Sequence, residues 1–260
     1  MTDAGRLQNQ VALVTGADSG IGQAIAEAFA REGADLLIIY HSDTAGARKT
    51  LAAVERAGRH GVLRQIDVRD QRAVAELFDD HTGLRTPFIL VNAAGVGAGG
   101  VPVSETTGDA WERVIRTDLY GPFYCSRHFV QARKADGGRG KIINITSVHE
   151  AIPSPNAAAY GAAKGGLLTF TRSLALEVAP DWINVNAIAP GMIKTPMTAD
   201  RVSDPDKLRQ AESRIPLGRA GEPWEVAGLA VYLASPAADY VTGQSFTIDG
   251  GLEMNWGQGA

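Results

Sequence analysis

VALVTGADSGIGQAIAEAF, residues 11–29, runs from a short β-branched apolar segment through Gly16, Gly20 and Gly22 into a helical pattern. Glycines punctuate any tight turn, but the order strand, glycine loop, helix is specific. Gly16 suits a tight turn, Gly20 a close backbone approach and Gly22 close helix packing. The free N–H groups and positive dipole end of the helix that follows can hold a pyrophosphate. Outward from this unit lie further apolar runs: LLIIY (36–40), VLRQID (62–67), FILVN (88–92), KIINIT (141–146), INVNAI (183–188) and SFTID (245–249). They are nearly continuous instead of alternating, the pattern of parallel strands covered on both faces. Helical patterns separate them at about 20–32, 44–57, 70–82, 108–134, 157–179 and 223–234. Alternation of this kind means right-handed βαβ crossovers, hence an α/β doubly wound parallel sheet of about seven strands. Ligands of such sheets bind at the carboxyl ends of the strands, where the strand order reverses.

The 260 residues, nearly half of them apolar, form one domain over 1–260 with no second domain required. A net charge of −4 leaves no basic footprint for nucleic acid, so a small molecule is the expected partner. No apolar run reaches the roughly 20 residues that span a bilayer, so no membrane role is expected. Cys125 is the only cysteine and cannot form an internal disulfide. The N-terminus has no basic segment followed by an apolar one, and the expected location is cytoplasmic.

The glycine spacing is TGxxxGxG, not GxGxxG, and in this it resembles the short-chain dehydrogenase/reductases. The likeness recurs from Val11 to about Gly251. It implies a Rossmann-type fold binding NAD or NADP, with Asp18, Ser19 and Ile21 beside the three glycines at the cofactor. Asp67 and Val68, in IDVRD, fall where the family holds adenine. VNAAG, residues 91–95, resembles the family's NNAG with Ala93 in place of the second Asn, and places Asn92 and Gly95 at the cofactor. Ser147, followed thirteen positions on by Tyr160 and then by Lys164, matches the catalytic Ser and YxxxK. IAPGMIKTPM supplies Pro190 and Gly191, with Ile193 and Thr195 where the nicotinamide carboxamide is held. SVHEAIP, IPLGRAGEPWEVA and YVTGQSFTIDGG are most similar to the bacterial glucose 1-dehydrogenase group.

Residues four apart on a helix share a face, so Tyr160 and Lys164 project together. Using a phenolate near neutral pH, against an ordinary tyrosine value of about 10, requires roughly 4 kcal/mol. An ammonium at about 5 Å supplies roughly 3 kcal/mol at an effective dielectric of 20. The resemblance adds that Lys164 also binds the nicotinamide ribose, that Ser147 holds the substrate oxygen, and that Tyr160 exchanges the alcohol proton. His149 and Glu150, in the loop after Ser147, either line a polyol pocket or merely shape the turn. A serine hydrolase lacks support, because Ser147 has no GxSxG elbow. No metal site is expected.

Two departures stand out. Asp118 occupies the position of the family's catalytic Asn; it can pair with Lys164, carry a proton itself, or weaken the enzyme. The second strand ends in Tyr40, His41 and Ser42 with no acid for a ribose 2′-hydroxyl, which leaves room for a 2′-phosphate. Asp18 would repel that phosphate, and neither loop offers an Arg or Lys, so tolerance of both NAD and NADP is expected. Residues 192–223 read as a long polar loop closing over substrate. By analogy the helices at 108–134 and 157–179 build a dimer interface within a homotetramer. The tail, with Trp256, packs on a neighbour or near a pocket, or is frayed. The expected reaction interconverts a secondary alcohol and a carbonyl on a sugar or polyol. A 3-oxoacyl thioester reductase, which needs a basic surface near the pocket, is the enzyme alternative, and a dinucleotide-binding regulatory protein the non-enzyme one.

Overall fold

Strand β1 (Val11–Thr15) is buried along its whole length and pairs in parallel with β2 (Asp35–Tyr40) on one side and β4 (Ile89–Asn92) on the other. With β3 (Gly61–Gln65), β5 (Gly140–Ile145), β6 (Ile183–Pro190) and β7 (Ser245–Ile248), the sheet runs β3-β2-β1-β4-β5-β6-β7, parallel throughout. The structure is a computed structural model and describes residues 5–79, 83–97 and 100–255. Strand order reverses between β1 and β4, which opens a crevice above their carboxyl ends.

Side chains alternate across the buried sheet. Ala12, Val14, Leu36, Ile38, Ile89 and Val91 face helices α1 (Gly20–Arg31) and α9 (Pro223–Ala234), beside α2 (Thr44–Arg56). Leu13, Leu37, Ile39, Leu90 and Ile142 face the other layer, with α3 (Gln71–Asp79), α5 (Gly121–Ala135) and α6 (Ala158–Val178). Both faces are apolar because both are covered, which is why the strands read as continuous hydrophobic runs. The expected end of the third helix, at 80–82, and Trp256 lie outside the described residues.

Two expectations need correction. The helical pattern over 108–134 is broken into α4 (Gly108–Ile115), a π-helical turn over Arg116–Tyr120, and α5. Pro122 gives the reason: it has no N–H to donate to the Asp118 carbonyl four residues back, and its ring would crowd that carbonyl. The ladder widens instead, with the Gly121 N–H reaching the Arg116 carbonyl five residues back. Asp118 sits in this widened turn and is fully buried.

The segment 192–223 is not a plain loop. It folds into a 3-10 turn (Pro196–Thr198) and two helices, α7 (Ala199–Val202) and α8 (Pro205–Glu212). Asp204 caps α8, its Oδ1 accepting from the N–H groups of Asp206 and Lys207, with Pro205 at the first helical position. The prolines and charge density of the segment masked this capping signal in the sequence.

Candidate active site

Three loops converge on the crevice. Thr15, ending β1, bridges to the turn after β4: its hydroxyl accepts from the N–H groups of Ala93 and Ala94, each at 3.1 Å. Glycine is required where the first loop is tightest. A Cβ on Gly22 would lie 2.1 Å from the Gly16 carbonyl oxygen, and one on Gly16 would lie 2.8 Å from the Ala94 Cα. A Cβ on Gly20, at φ +53°, would lie 3.2 Å from the Thr195 side chain, so the loop after β6 closes the third side. The first turn of α1 carries no acid, and Ser19 makes no side-chain cap bond, which leaves backbone N–H groups available to an anion. A cradle of glycines against a helix N-terminus at the point of strand reversal fits a dinucleotide. After β6, Gly191 is pinned by its N–H to the Ile248 carbonyl and has Asp249 where a Cβ would go; Pro190 ends the strand and Ile193 is buried.

The chemistry-bearing cluster lies beside this cradle. Lys164, on α6, is buried; its Nζ donates to the Ile145 carbonyl at 3.0 Å and stands 3.1 Å from Asp118 Oδ2. The other Asp118 oxygen accepts from the Val96 N–H at 2.9 Å. The Lys164–Asp118 approach is a charge contact, because no donor is aligned on Oδ2 as a hydrogen bond requires. Of the three alternatives for Asp118, the folded chain places the ion pair. Nζ also sits 5.4 Å from the Tyr160 ring centroid, over its face. Burial is the largest single influence on Lys164 and works against its charge, but Asp118, Tyr160 and Glu150 together outweigh it and hold its pKa above the ordinary lysine value. Gly95 packs on this pair: a Cβ there would come within 3.0 Å of Asp118 Oδ2 and 3.7 Å of Lys164 Nζ.

Ser147, at the carboxyl end of β5, is nearly buried and accepts from the His149 N–H at 3.2 Å. The His149 ring meets the Tyr160 ring edge to face with centroids 6.1 Å apart, and its Nδ1 is 3.1 Å from the Ile152 carbonyl. His149 also lines a cavity together with Ile152, Met192 and Ile215. Glu150 differs: its Oε1 accepts from the Ser245 hydroxyl at 2.6 Å, which ties the loop to β7. The sequence treated the two neighbours alike, but a 3-10 turn over Val148–Glu150 sends them to different partners.

The resemblance places Asn92 at the cofactor. The Asn92 side chain is buried and donates to Asn144 Oδ1 at 2.8 Å and to Ser126 Oγ at 3.2 Å, while Asn144 donates on to Thr171. This network joins β4, β5, α5 and α6 beneath the site. Asn144, Ser126 and Thr171 were not singled out from the sequence; polar residues inside apolar runs were the available signal.

Beyond the glycine loop, Tyr40 is buried at the end of β2 and Val68 lies beneath Gly121. Asp67 is held by Arg69, whose guanidinium donates through Nε and Nη2 at 2.7–3.0 Å. That hydrogen bonding, chiefly, lowers the Asp67 pKa. His41 Nε2 is 3.7 Å from Asp67 Oδ2. A guanidinium is therefore present here, in the segment after β3 and not in either loop considered from the sequence, but it is paired with Asp67. Asp18 is half-buried, and burial first, then the nearby Asp43 charge, raises its pKa.

Comparison with known proteins follows these features. A family model described as Enoyl-(Acyl carrier protein) reductase matches residues 16–253. The 3beta-hydroxysteroid dehydrogenase 1 of Eggerthella lenta is 40% identical, over 97% of this chain and 98% of its own. Glucose 1-dehydrogenase 2 of Bacillus subtilis is 36% identical, over 95% and 96%. The crystal structure of a gluconate 5-dehydrogenase from Burkholderia cenocepacia, in complex with NADP and tartrate, superposes with a TM-score of 0.90 at 32% identity, covering 97% of this chain and 98% of that one.

Proposed function

The chain belongs to the short-chain dehydrogenase/reductase family of NAD(P)-dependent enzymes acting on CH–OH groups, and from that premise we propose that it interconverts a secondary alcohol and a carbonyl on a sugar or polyol. The observation that carries the reading is the buried Lys164 ammonium, fixed between the Ile145 carbonyl and Asp118 and set over the Tyr160 ring. Bound NAD or NADP supplies a hydride acceptor or donor. Tyr160 takes the hydroxyl proton in oxidation and returns it in reduction. Lys164 stabilises the phenolate, Ser147 orients the substrate oxygen, and Asp118 keeps Lys164 charged and in place. The glycine cradle holds the pyrophosphate, with Asp67 and Val68 at adenine, Tyr40 and His41 beside the ribose, and Ile193 and Thr195 toward nicotinamide. Glucose 1-dehydrogenase and gluconate 5-dehydrogenase among the relatives support a polyhydroxylated substrate, and His149 is the candidate contact for its hydroxyls.

We further propose a homotetramer. An aromatic patch at the π turn and the start of α5, with Phe123 41% and Tyr120 40% exposed and Phe123 packed edge-on against Phe170 of α6, supports a face covered by another copy.

The test follows NADH and NADPH formation by absorbance against aldoses, polyols and simple alcohols. Tyr160→Phe is expected to lower turnover at least about 100-fold, the range of a lost general acid–base, while cofactor still binds by fluorescence titration. Near-normal turnover in that variant removes Tyr160 from the mechanism. The thioester-reductase reading draws on the positive charge at the cavity and predicts faster reduction of acetoacetyl coenzyme A than oxidation of any polyol.

A further inference from the structure

A neutral sugar does not need the charge found beside His149. The half-open cleft there has a volume of about 440 Å³ and is lined by His149, Met192, Arg201, Lys207, Gln210 and Arg214 among others, with no acid in its wall. That size is ordinary for a small-molecule site. Most acids of the same segment are engaged elsewhere: Asp206 with Arg209, Glu222 with Lys194, and the Glu212 carboxylate with the Ala220 N–H, while Asp200, next to Arg201, makes no ion pair among the described residues and does not line the cleft. Lys207 has Asp204 at 3.7 Å, but that carboxylate also caps α8. Arg201 and Arg214 make no ion pair with a carboxylate among the described residues.

Three like charges gathered at one cleft repel, and a bound anion relieves that repulsion. Guanidinium groups match the two oxygens of a carboxylate better than a lone hydroxyl. We propose that the substrate is a hydroxy acid whose carboxylate docks on Arg201 and Arg214, with Lys207 adding attraction, while its secondary hydroxyl lies toward His149 and Tyr160. The inference rests on the alcohol-dehydrogenase reading of the site and narrows it from neutral polyols to their acids. In the reaction the carbinol carbon loses a hydride to NAD(P)+, the hydroxyl proton passes to Tyr160, and the products are an oxo acid, NAD(P)H and one proton. The carboxylate is unchanged.

The experiment measures initial rates with a six-carbon aldonate, the matching alditol and the matching aldose, using the full chain with NAD or NADP. The aldonate is expected to have a kcat/KM at least about 10-fold above the alditol, as one charge-assisted contact supplies, and the advantage should shrink at high salt. In Arg201→Ala/Arg214→Ala the acid-to-alditol ratio should fall about 10-fold or more, carried by KM, with thermal melting reporting that the variant folds. If Arg201→Ala/Arg214→Ala fails to fold, the single variants Arg201→Gln and Arg214→Gln carry the same comparison. Equal rates on acid and alditol, or a ratio indifferent to the arginines, would overturn the proposal while leaving the dehydrogenase reading intact. Acetoacetyl coenzyme A preferred over the aldonate with the same arginine dependence would also overturn it, assigning the charges to a thioester's phosphates. No turnover of any alcohol would overturn both readings.

Discussion

Lys164 is an ammonium almost cut off from water, and its charge survives because Asp118, fully buried, is 3.1 Å away. Removing one partner of such a pair strands the other, so Asp118→Ala should cost about 3 kcal/mol of stability. Asp118→Asn is more informative. The carboxylate accepts from Val96 with one oxygen and faces Lys164 with the other; an amide presents an oxygen to only one of them and an NH2 group to the other. The raised Lys164 pKa means the pair stabilises the fold fully below the ordinary lysine range, and that contribution is lost as pH rises through the raised folded value. With Asn the lysine titrates lower. The alkaline limbs of both kcat/KM and melting temperature should therefore move to lower pH, as rate profiles and melts between about pH 7 and 11 will register. A large gain in rate with an unmoved limb would instead mark Asp118 as a defect of the site.

At the scale of elements, the site depends on where helices begin and where one of them is broken. The start of α1 works only because Gly22 lets the helix rest on the Gly16 carbonyl. Gly22→Ala puts a methyl 2.1 Å from that backbone oxygen, a group that cannot swing away. A loss of about 3 kcal/mol is expected from overpacking at such a contact, together with at least a 10-fold weaker cofactor affinity, read by melting and by fluorescence titration. Gly228→Ala is the control for glycine removal as such, since Gly228 also lies in a helix without a positive φ, but nothing lies within 4 Å. The π turn before α5 has the opposite character: Pro122 breaks the ladder, and the break delivers Asp118 into the interior.

For the whole molecule, the sheet brings residues from β1, β4, β5, β6 and α6 to one edge, so the site is a property of the entire chain order. The aromatic patch at the π turn and the start of α5 belongs to this scale as well. Phe123→Asp should convert a tetramer to smaller species in analytical ultracentrifugation, and an unchanged sedimentation coefficient would place the interface elsewhere. Much of the architecture was legible because periodicity and glycine spacing are local: β1 occupies its expected residues, and the other strands differ by a residue or two. Tyr160 and Lys164 could be read as neighbours because four residues on a helix is a fixed geometry. The π turn was hidden, since α and π turns share the same apolar pattern until a proline removes a donor. The helices within 192–223 were hidden by their polarity, and Arg69 by belonging to a segment that comes beside the end of β2 only after folding. The sequence by itself determined the order of elements, the glycine cradle and the Tyr160–Lys164 face, because each depends on contacts between residues close in the chain. Only the tertiary structure decided that Asp118 faces Lys164, that Asn92 turns inward, that Glu150 leaves the side of His149, and that Arg201 and Arg214 share one cleft with His149, because each depends on which distant segments the sheet brings together.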